Sequence, residues 1–442
     1  MVEIVLPKDN LLLLRLQMKE RGILLLFSHF VETFIFDFLD ITFYFVSMSL
    51  ADFFTPIQAQ NFCAGADFYN SQFGKIIQVY ETSFPDLEDP KQKPHIALLG
   101  VEEERAAIDN GGTKKSPDAV RKYFYNLYQG DYQVRIADLG NIQAGATIQD
   151  TYIALKNAVE ELIKQDIVPV IIGGGQDLTY AQYQAYEGLE QRVEVAIIDA
   201  RFDLDQDQAE NTPLNAKTYL NHIILHQPDY LFNLSNLAYQ TYLVSKESIN
   251  MYDKLFFNTM RIGMIAGKLD QAEPLIRAAD MVSFDIGAIR ASEAPGNANA
   301  NPNGLYGDEA CQLARYAGMS DKCSSIGFYE YNPTFDPMGH TANLLAQMVW
   351  CFVDGFYNRK NDAPLVPKSS YVIYRTTLEN DNYELVFVKS KKSDRWWMQV
   401  PYFGSKSVNE RYYWVPCRYE DYQLAVEGDM PDLWWKTHQK LQ

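Results

Sequence analysis

Positive charge and histidine are scarce in this chain of 442 residues. Lys and Arg number 39 against 57 Asp and Glu, histidine only 6, and the net charge is −18. So acidic a chain is repelled by phosphate backbones and anionic lipid, which argues against non-specific nucleic-acid or membrane-surface binding. Cysteine is sparse too: Cys63, Cys311, Cys323, Cys351 and Cys417 are scattered, with no Cys-x-x-Cys pair. An odd, dispersed set fits reduced thiols in a cytoplasm rather than a disulfide framework. Internal repeats and low-complexity tracts are missing. The first 47 residues are apolar in patches, with Lys8, Arg15, Lys19 and Arg21 ahead of Gly22–Val31. Yet no cleavage site follows directly, and Glu32, Asp37 and Asp40 deny the run of about 18 uncharged residues that a spanning helix needs. Residues 1–47 are therefore expected to be a leader outside the fold, with Met48 as the natural start. A membrane-surface anchor is the sharper alternative.

What is present is a strong α/β alternation and a hydrophobic content of 47%, enough for a large core. Val168–Ile172 and Val193–Ile198 are β-branched runs that read as buried parallel strands, and Met281 opens a third. Each run ends in Gly or Asp. In open α/β sheets ligands bind just beyond the carboxyl ends of the strands. Gln176, Asp199, Arg201, Asp203 and Asp285 would then converge on one place. Alternation along an extended segment puts Asp199, Arg201 and Asp203 on one side. Two carboxylates so close repel unless a cation lies between them, either a metal ion or Arg201 itself.

These motifs resemble the ureohydrolase family of arginases, agmatinases and formimidoylglutamases. The family's Gly-Gly-Gly-His or Gly-Gly-Asp-His appears as Gly173-Gly174-Gly175-Gln176. Its Asp-Ala-His-x-Asp appears as Asp199-Ala200-Arg201-Phe202-Asp203. Ser-Phe-Asp-x-Asp becomes Ser283-Phe284-Asp285-Ile286-Gly287, and Glu-x-Asn-Pro is kept as Glu330-Tyr331-Asn332-Pro333. The resemblance covers roughly residues 94–357, and the triple glycine leans towards the formimidoylglutamase branch. It implies a three-layer α/β/α fold on a mostly parallel sheet, hydrolysis of C–N bonds in linear amidines, and Glu330 with Asn332 on the substrate side.

The resemblance also implies a pair of Mn²⁺ ions on six ligands, and here the chain departs. Asp199, Asp203 and Asp285 match. The two histidine positions hold Gln176 and Arg201, and the last aspartate position holds Gly287. Gln176, Asp199, Asp203 and Asp285 would surround the first metal. The second would keep only Asp199 and Asp285, and Arg201, which cannot ligate a cation, would fill its place. The expectation is no bound cation, or one weakly held Mn²⁺, Mg²⁺ or Ca²⁺, because only hard oxygen donors survive. A repurposed, catalytically impaired pseudoenzyme is the first functional reading. A single-metal amidine hydrolase is the second.

The remaining expectations are architectural. Residues 48–93 lead in, 94–357 form the α/β domain, and 358–442 form a β-containing C-terminal module. Ser116-Pro117 opens a helix running to about Tyr128, and 211–227 reads as a helix placing His222 and His226 one turn apart. That pair could approach a metal, though a surface or core-edge role is the ordinary reading. Leu255–Gly263 reads as a strand. In the tail, Asn380-Asp381-Asn382 signals a hairpin, and Trp396-Trp397 with the basic stretch Lys389–Lys392 is expected to pack on the main domain or a partner. Candidate partners are a small guanidino or formimino ligand, a protein met through the tail, and a second copy of the chain.

Overall fold

The computed structural model describes residues 49–58, 68–130, 133–204, 212–364, 368–378, 383–402 and 412–442. The chain divides into Met1–Asp52 and Phe53–Gln442. The leader, and with it the choice of Met48 as start, lies outside the described residues, as does Cys63. Everything below concerns the second unit.

Nine parallel strands form the main sheet: β1 (Gln78–Val79), β2 (Ile96–Glu102), β3 (Ile136–Gln143), β4 (Val168–Ile172), β5 (Val193–Ile198), β6 (Leu231–Tyr239), β7 (Asn258–Arg261), β8 (Met281–Asp285) and β9 (Ser325–Tyr329). Their order is β1-β3-β2-β4-β9-β8-β5-β6-β7. Strands β4, β5, β8 and β9 are buried at every position, as a sheet covered on both faces requires. Helices supply the cover. Ile148–Lys164 starts in a capping box, with Thr147 and Asp150 satisfying each other's backbone N–H. His340–Tyr357 buries residues around most of its circumference and packs between sheet and neighbouring helices. One core cluster includes Val170, Ile198, Phe284 and Phe328, and another includes Tyr183, Val195, Ile197 and Tyr252. Strand order breaks between β4 and β5, where β9 and β8 are inserted, so four adjacent strands deliver their carboxyl ends to one crevice.

Several expected elements are shorter. The helix at Ser116 ends at Phe124, and the 211–227 helix is confined to Tyr219–Ile224. The Leu255–Gly263 strand is Asn258–Arg261, followed by a helical turn at Ile262–Ile265. The nine-residue β6 is not foreseen at all, because Asn233, Ser235 and Asn236 interrupt its apolar pattern. Those side chains are buried yet partnered. Asn233 donates to Glu194 Oε2 at 3.2 Å, and Asn236 to the Arg201 carbonyl at 3.0 Å.

The tail folds into an antiparallel sheet, β10 (Tyr371–Leu378), β11 (Tyr383–Ser390), β12 (Trp396–Pro401) and β13 (Tyr412–Cys417), in that order. β10 and β11 pair antiparallel, with Tyr371 opposite Ser390 and Leu378 opposite Tyr383, while the Asn380-Asp381-Asn382 turn expected between them lies outside the described residues. Helices Tyr419–Val426 and Asp432–Leu441 follow. Aromatic rings fasten this appendage to the main sheet: Arg277 lies 4.5 Å over Trp397 and donates to the carbonyls of Trp396 and Cys417. The basic stretch is spent locally, with Lys391 on the Ser369 carbonyl and Lys389 paired with Asp394. No helix among the described residues is long and apolar enough to cross a membrane.

Candidate metal centre

The crevice is built one strand end at a time. After β4 the chain turns through Gly173 and Gly174 at φ +115° and +70°. A Cβ at Gly174 would stand 2.2 Å from Leu178 Cδ1 and 2.6 Å from the Glu103 carbonyl, so only glycine fits. This turn carries Gln176 into the interior. Its backbone N–H donates to Glu330 Oε1 at 2.8 Å, and its Nε2 donates to Ser283 Oγ at 2.9 Å. Gln176 Oε1 is buried and accepts no hydrogen bond.

At the end of β5, Asp199 Oδ1 accepts from the Arg201 N–H at 3.0 Å, while Oδ2 accepts none. Asp203 sits in the left-handed region at φ +46°, so the chain curls back rather than continuing extended. Asp285, at the end of β8, accepts from the Gly287 N–H at 2.5 Å. One carboxylate oxygen each of Asp199, Asp203 and Asp285 lies within 4.8 Å of the others. A Cβ on Gly287 would come within 3.0 Å of Asp285 Oδ1, so a side chain there would stand directly on this cluster.

Glu330 closes the site from β9. Its Oε2 accepts from Asn110 Nδ2 at 2.7 Å, and the same amide donates to the Glu330 carbonyl at 2.9 Å. Asn332 faces away from the carboxylates. Its Nδ2 donates to Asn110 Oδ1 at 3.0 Å and to the Gly111 carbonyl at 2.9 Å, bracing the loop that holds Glu330. Asn110 is therefore a hub between Glu330 and Asn332. Its Asn-Gly-Gly setting signalled a turn, but nothing local signalled a partner 220 residues away. Asp177 was missed as well: it is 1% exposed and accepts from Tyr152 OH at 2.7 Å.

Burial dominates the electrostatics. It pushes the carboxyls of Asp199 and Asp285 well above the usual range, helped by Asp203 beside the first and Asp199 beside the second. Burial likewise raises Asp203 to about 7, with Asp285 and Glu330 adding to the shift. Glu330 rises to about 8 through burial and the charge of Asp285. Arg201 does not neutralise the group. It is half-buried and lines a small cavity of about 100 Å³ with Asp203, Asp285, Asn297 and Glu330. It lines the cavity without an ion pair to Asp199 or Asp285, so it does not serve as the cation expected between the carboxylates. Its charge only partly offsets the upward shifts of all three aspartates.

A cluster of three carboxylates, with a buried amide oxygen lacking a donor, has the donor chemistry for one hard divalent cation. His222 and His226 do not add to it. His222 Nε2 is 3.0 Å from the Thr212 carbonyl, and His226 Nδ1 is 3.0 Å from Tyr180 OH.

The sequence profile of the arginase family matches residues 94–354. The chain belongs to the arginase family. Within it, the chain is 25% identical to the formimidoylglutamase of Staphylococcus haemolyticus over 295 residues, covering 64% of this chain and 93% of that one. To a Staphylococcus aureus formimidoylglutamase it is 27% identical over 276 residues, covering 60% and 88%. Among solved structures, the formimidoylglutamase of Bacillus subtilis superposes with a TM-score of 0.59 at 20% identity, over 67% of this chain and 96% of that chain. The formiminoglutamase of Trypanosoma cruzi with Mn²⁺ gives 0.58 at 18%, over 65% and 99%. These superpositions establish the arginase-like fold. Against the family's ligand pattern, the metal cluster of this member is incomplete, and the set suits at most a single divalent cation rather than a binuclear manganese site.

Proposed function

We propose that this chain is a catalytically impaired arginase-family protein, repurposed to bind a ligand or a protein partner. The observation that carries this reading is the bare glycine at 287 beside Asp285, with Gln176 and Arg201 at the histidine positions. A bound cation would supply Lewis-acid polarisation, and Asp199, Asp203, Asp285 and the Gln176 amide oxygen would hold it. What the chain's own residues offer is a small recess lined by carboxyl groups. Glu330, aligned by Asn110 and the Gln176 N–H, faces the cavity as an acceptor for a guanidino or formimino group. The cavity of about 100 Å³ is small beside ordinary ligand pockets of roughly 300–1,000 Å³, which suits a small cationic group rather than a whole amino acid. The retained Glu330 also supports a second reading, a slow single-metal hydrolase of linear amidines.

Elemental analysis of the purified chain after manganese loading, with assays for urea and formamide release, separates the two. The expected result is no more than one ion per chain and no turnover of arginine, agmatine or formimidoylglutamate. Restoring Gln176→His, Arg201→His and Gly287→Asp together should raise the manganese content to two. Two ions and turnover in the unmodified chain would overturn the proposal.

A further inference from the structure

Helices Gly307–Met319 and His340–Tyr357 run side by side on one face of the sheet. Their backbones touch: a Cβ on Gly318 would stand 2.1 Å from the Phe352 carbonyl, and one on Gly355 2.3 Å from the Arg315 carbonyl. Arg315 Nε crosses the same seam to Asp354 Oδ2 at 2.7 Å. Gly307 packs against Leu344 and Gly355 against the Arg315 carbonyl, so the two helices run parallel, and one turn before the second contact Cys311 and Cys351 lie along the same seam. Both thiols are free and only partly buried, unlike the buried Cys323 and Cys417. Both also line an open cavity of about 690 Å³, shared with Arg315, His340 and Trp350, so a small reagent can reach them.

We propose that Cys311 and Cys351 are a redox-active pair that closes reversibly into a disulfide, with a low-molecular-weight disulfide as oxidant. Cys311 beside it holds the Cys351 thiol below its usual pKa, which favours Cys351 as the attacking sulfur of the pair. Its thiolate attacks one sulfur of the small disulfide and releases one equivalent of thiol. Cys311 loses its proton and attacks Cys351 in the mixed disulfide, and the second equivalent of thiol leaves. Two protein thiols are thereby oxidised and one small disulfide is reduced to two thiols.

The link would staple together the helices that follow the two halves of the crevice. Gly307–Met319 follows the loop carrying Asn297, and His340–Tyr357 follows the segment carrying Glu330 and Asn332. The inference stands independently of the proposed binding function, because it concerns thiols away from the carboxylates.

The test uses the full chain equilibrated with glutathione disulfide, alkylated, and mapped by peptide mass spectrometry without reduction. The expected product is a Cys311–Cys351 crosslinked peptide two hydrogens lighter than the reduced pair, lost again on adding dithiothreitol. In Cys311→Ser, Cys351 should instead accumulate as a stable glutathione adduct. Two alkylated thiols at these positions under fully oxidising conditions would overturn the proposal. So would glutathione on both, or a crosslink joining either to another cysteine.

Discussion

Strands β5 and β8 carry a buried acid at each end, and the two ends behave in opposite ways. At the amino ends, Glu194 and Asp280 share Lys322, at 2.8 Å and 3.1 Å. Burial pulls the Glu194 carboxyl upwards, but Lys322, Tyr413 and Asn233 outweigh it, and the net shift is down. Asp280 has the longer contact to Lys322 and the charge of Glu194 beside it, and burial leaves it at about 6. At the carboxyl ends, Asp199 and Asp285 meet Asp203 and Glu330, and among the described residues no cation pairs with them as Lys322 does. There every shift is upwards. The amino-end cluster is complete in its own side chains and also ties in the appendage through Tyr413. The carboxyl-end cluster is incomplete, which marks it as the place where something positive from outside belongs.

The largest effect should come from breaking the complete end. Lys322→Ala leaves Glu194 and Asp280 buried without their cation. Removing one partner of a buried pair typically costs about 3–5 kcal/mol. The Lys322 side chain is 37% exposed, and solvent screening brings the expected loss down to about 2–3 kcal/mol. Chemical denaturation monitored by tryptophan fluorescence checks it, and a loss below about 0.5 kcal/mol, the scatter of ordinary surface substitutions, would put both ends in one class.

The incomplete end should reveal itself in pH dependence. In the unfolded chain Glu330 titrates near 4.5 and Asp203 near 3.8, but folded they titrate at about 8 and about 7. Between those limits the folded state holds more protons, so stability is greatest below the unfolded values and falls as pH rises through the folded ones. Without divalent cations, a fall of about 2 kcal/mol from pH 5.5 to pH 8 is expected, within the limit of about 1.4 kcal/mol per unit per group. Mn²⁺ or Mg²⁺ at ten times its dissociation constant should return about 1.4 kcal/mol at pH 8 and much less at pH 5.5, where protons occupy the site. Thermal melts at both pH values, with and without cation, provide the measurement. Equal cation stabilisation at the two would contradict the carboxylate assignment.

How much of this was legible in the sequence follows from what is local. The motif strands were, because mostly β-branched runs such as Val193–Ile198 announce burial on both faces. The meeting of Asp199, Asp203 and Asp285 was legible too, since Asp199 directly follows one such run, Asp285 ends another, and Asp203 lies a short step beyond Asp199. Strand β6 was not, because Asn233 and Asn236 are polar for reasons supplied by Glu194 and the Arg201 carbonyl, far away in the chain. Asn110 escaped for the same reason, its partners being Glu330 and Asn332. The direction of the Arg201 side chain was also beyond reach. Alternation along an extended strand assumed a continuing strand, but β5 ends at Ile198 and the chain already bends at Ala200 and Arg201.

Arg201 therefore gives the smallest and sharpest prediction. Had its guanidinium formed a buried fork with Asp199 or Asp285, Arg201→Ala would cost about 3–5 kcal/mol. The structure instead leaves Arg201 half-buried beside the cavity, easing the aspartates through space without pairing with them. The expected stability change is about 0.5 kcal/mol or less at pH 5.5, where the nearby carboxyls are largely protonated and gain little from a cation. Its real effect should appear in competition, because Arg201 places positive charge where a divalent ion would approach. Arg201→Ala should bind Mn²⁺ more tightly by a factor of about ten, corresponding to roughly 1.4 kcal/mol. Isothermal titration of the metal-free variant and parent at pH 7.5 reads this directly. Weaker binding in the variant would mean that Arg201 orders the cluster rather than opposing the ion.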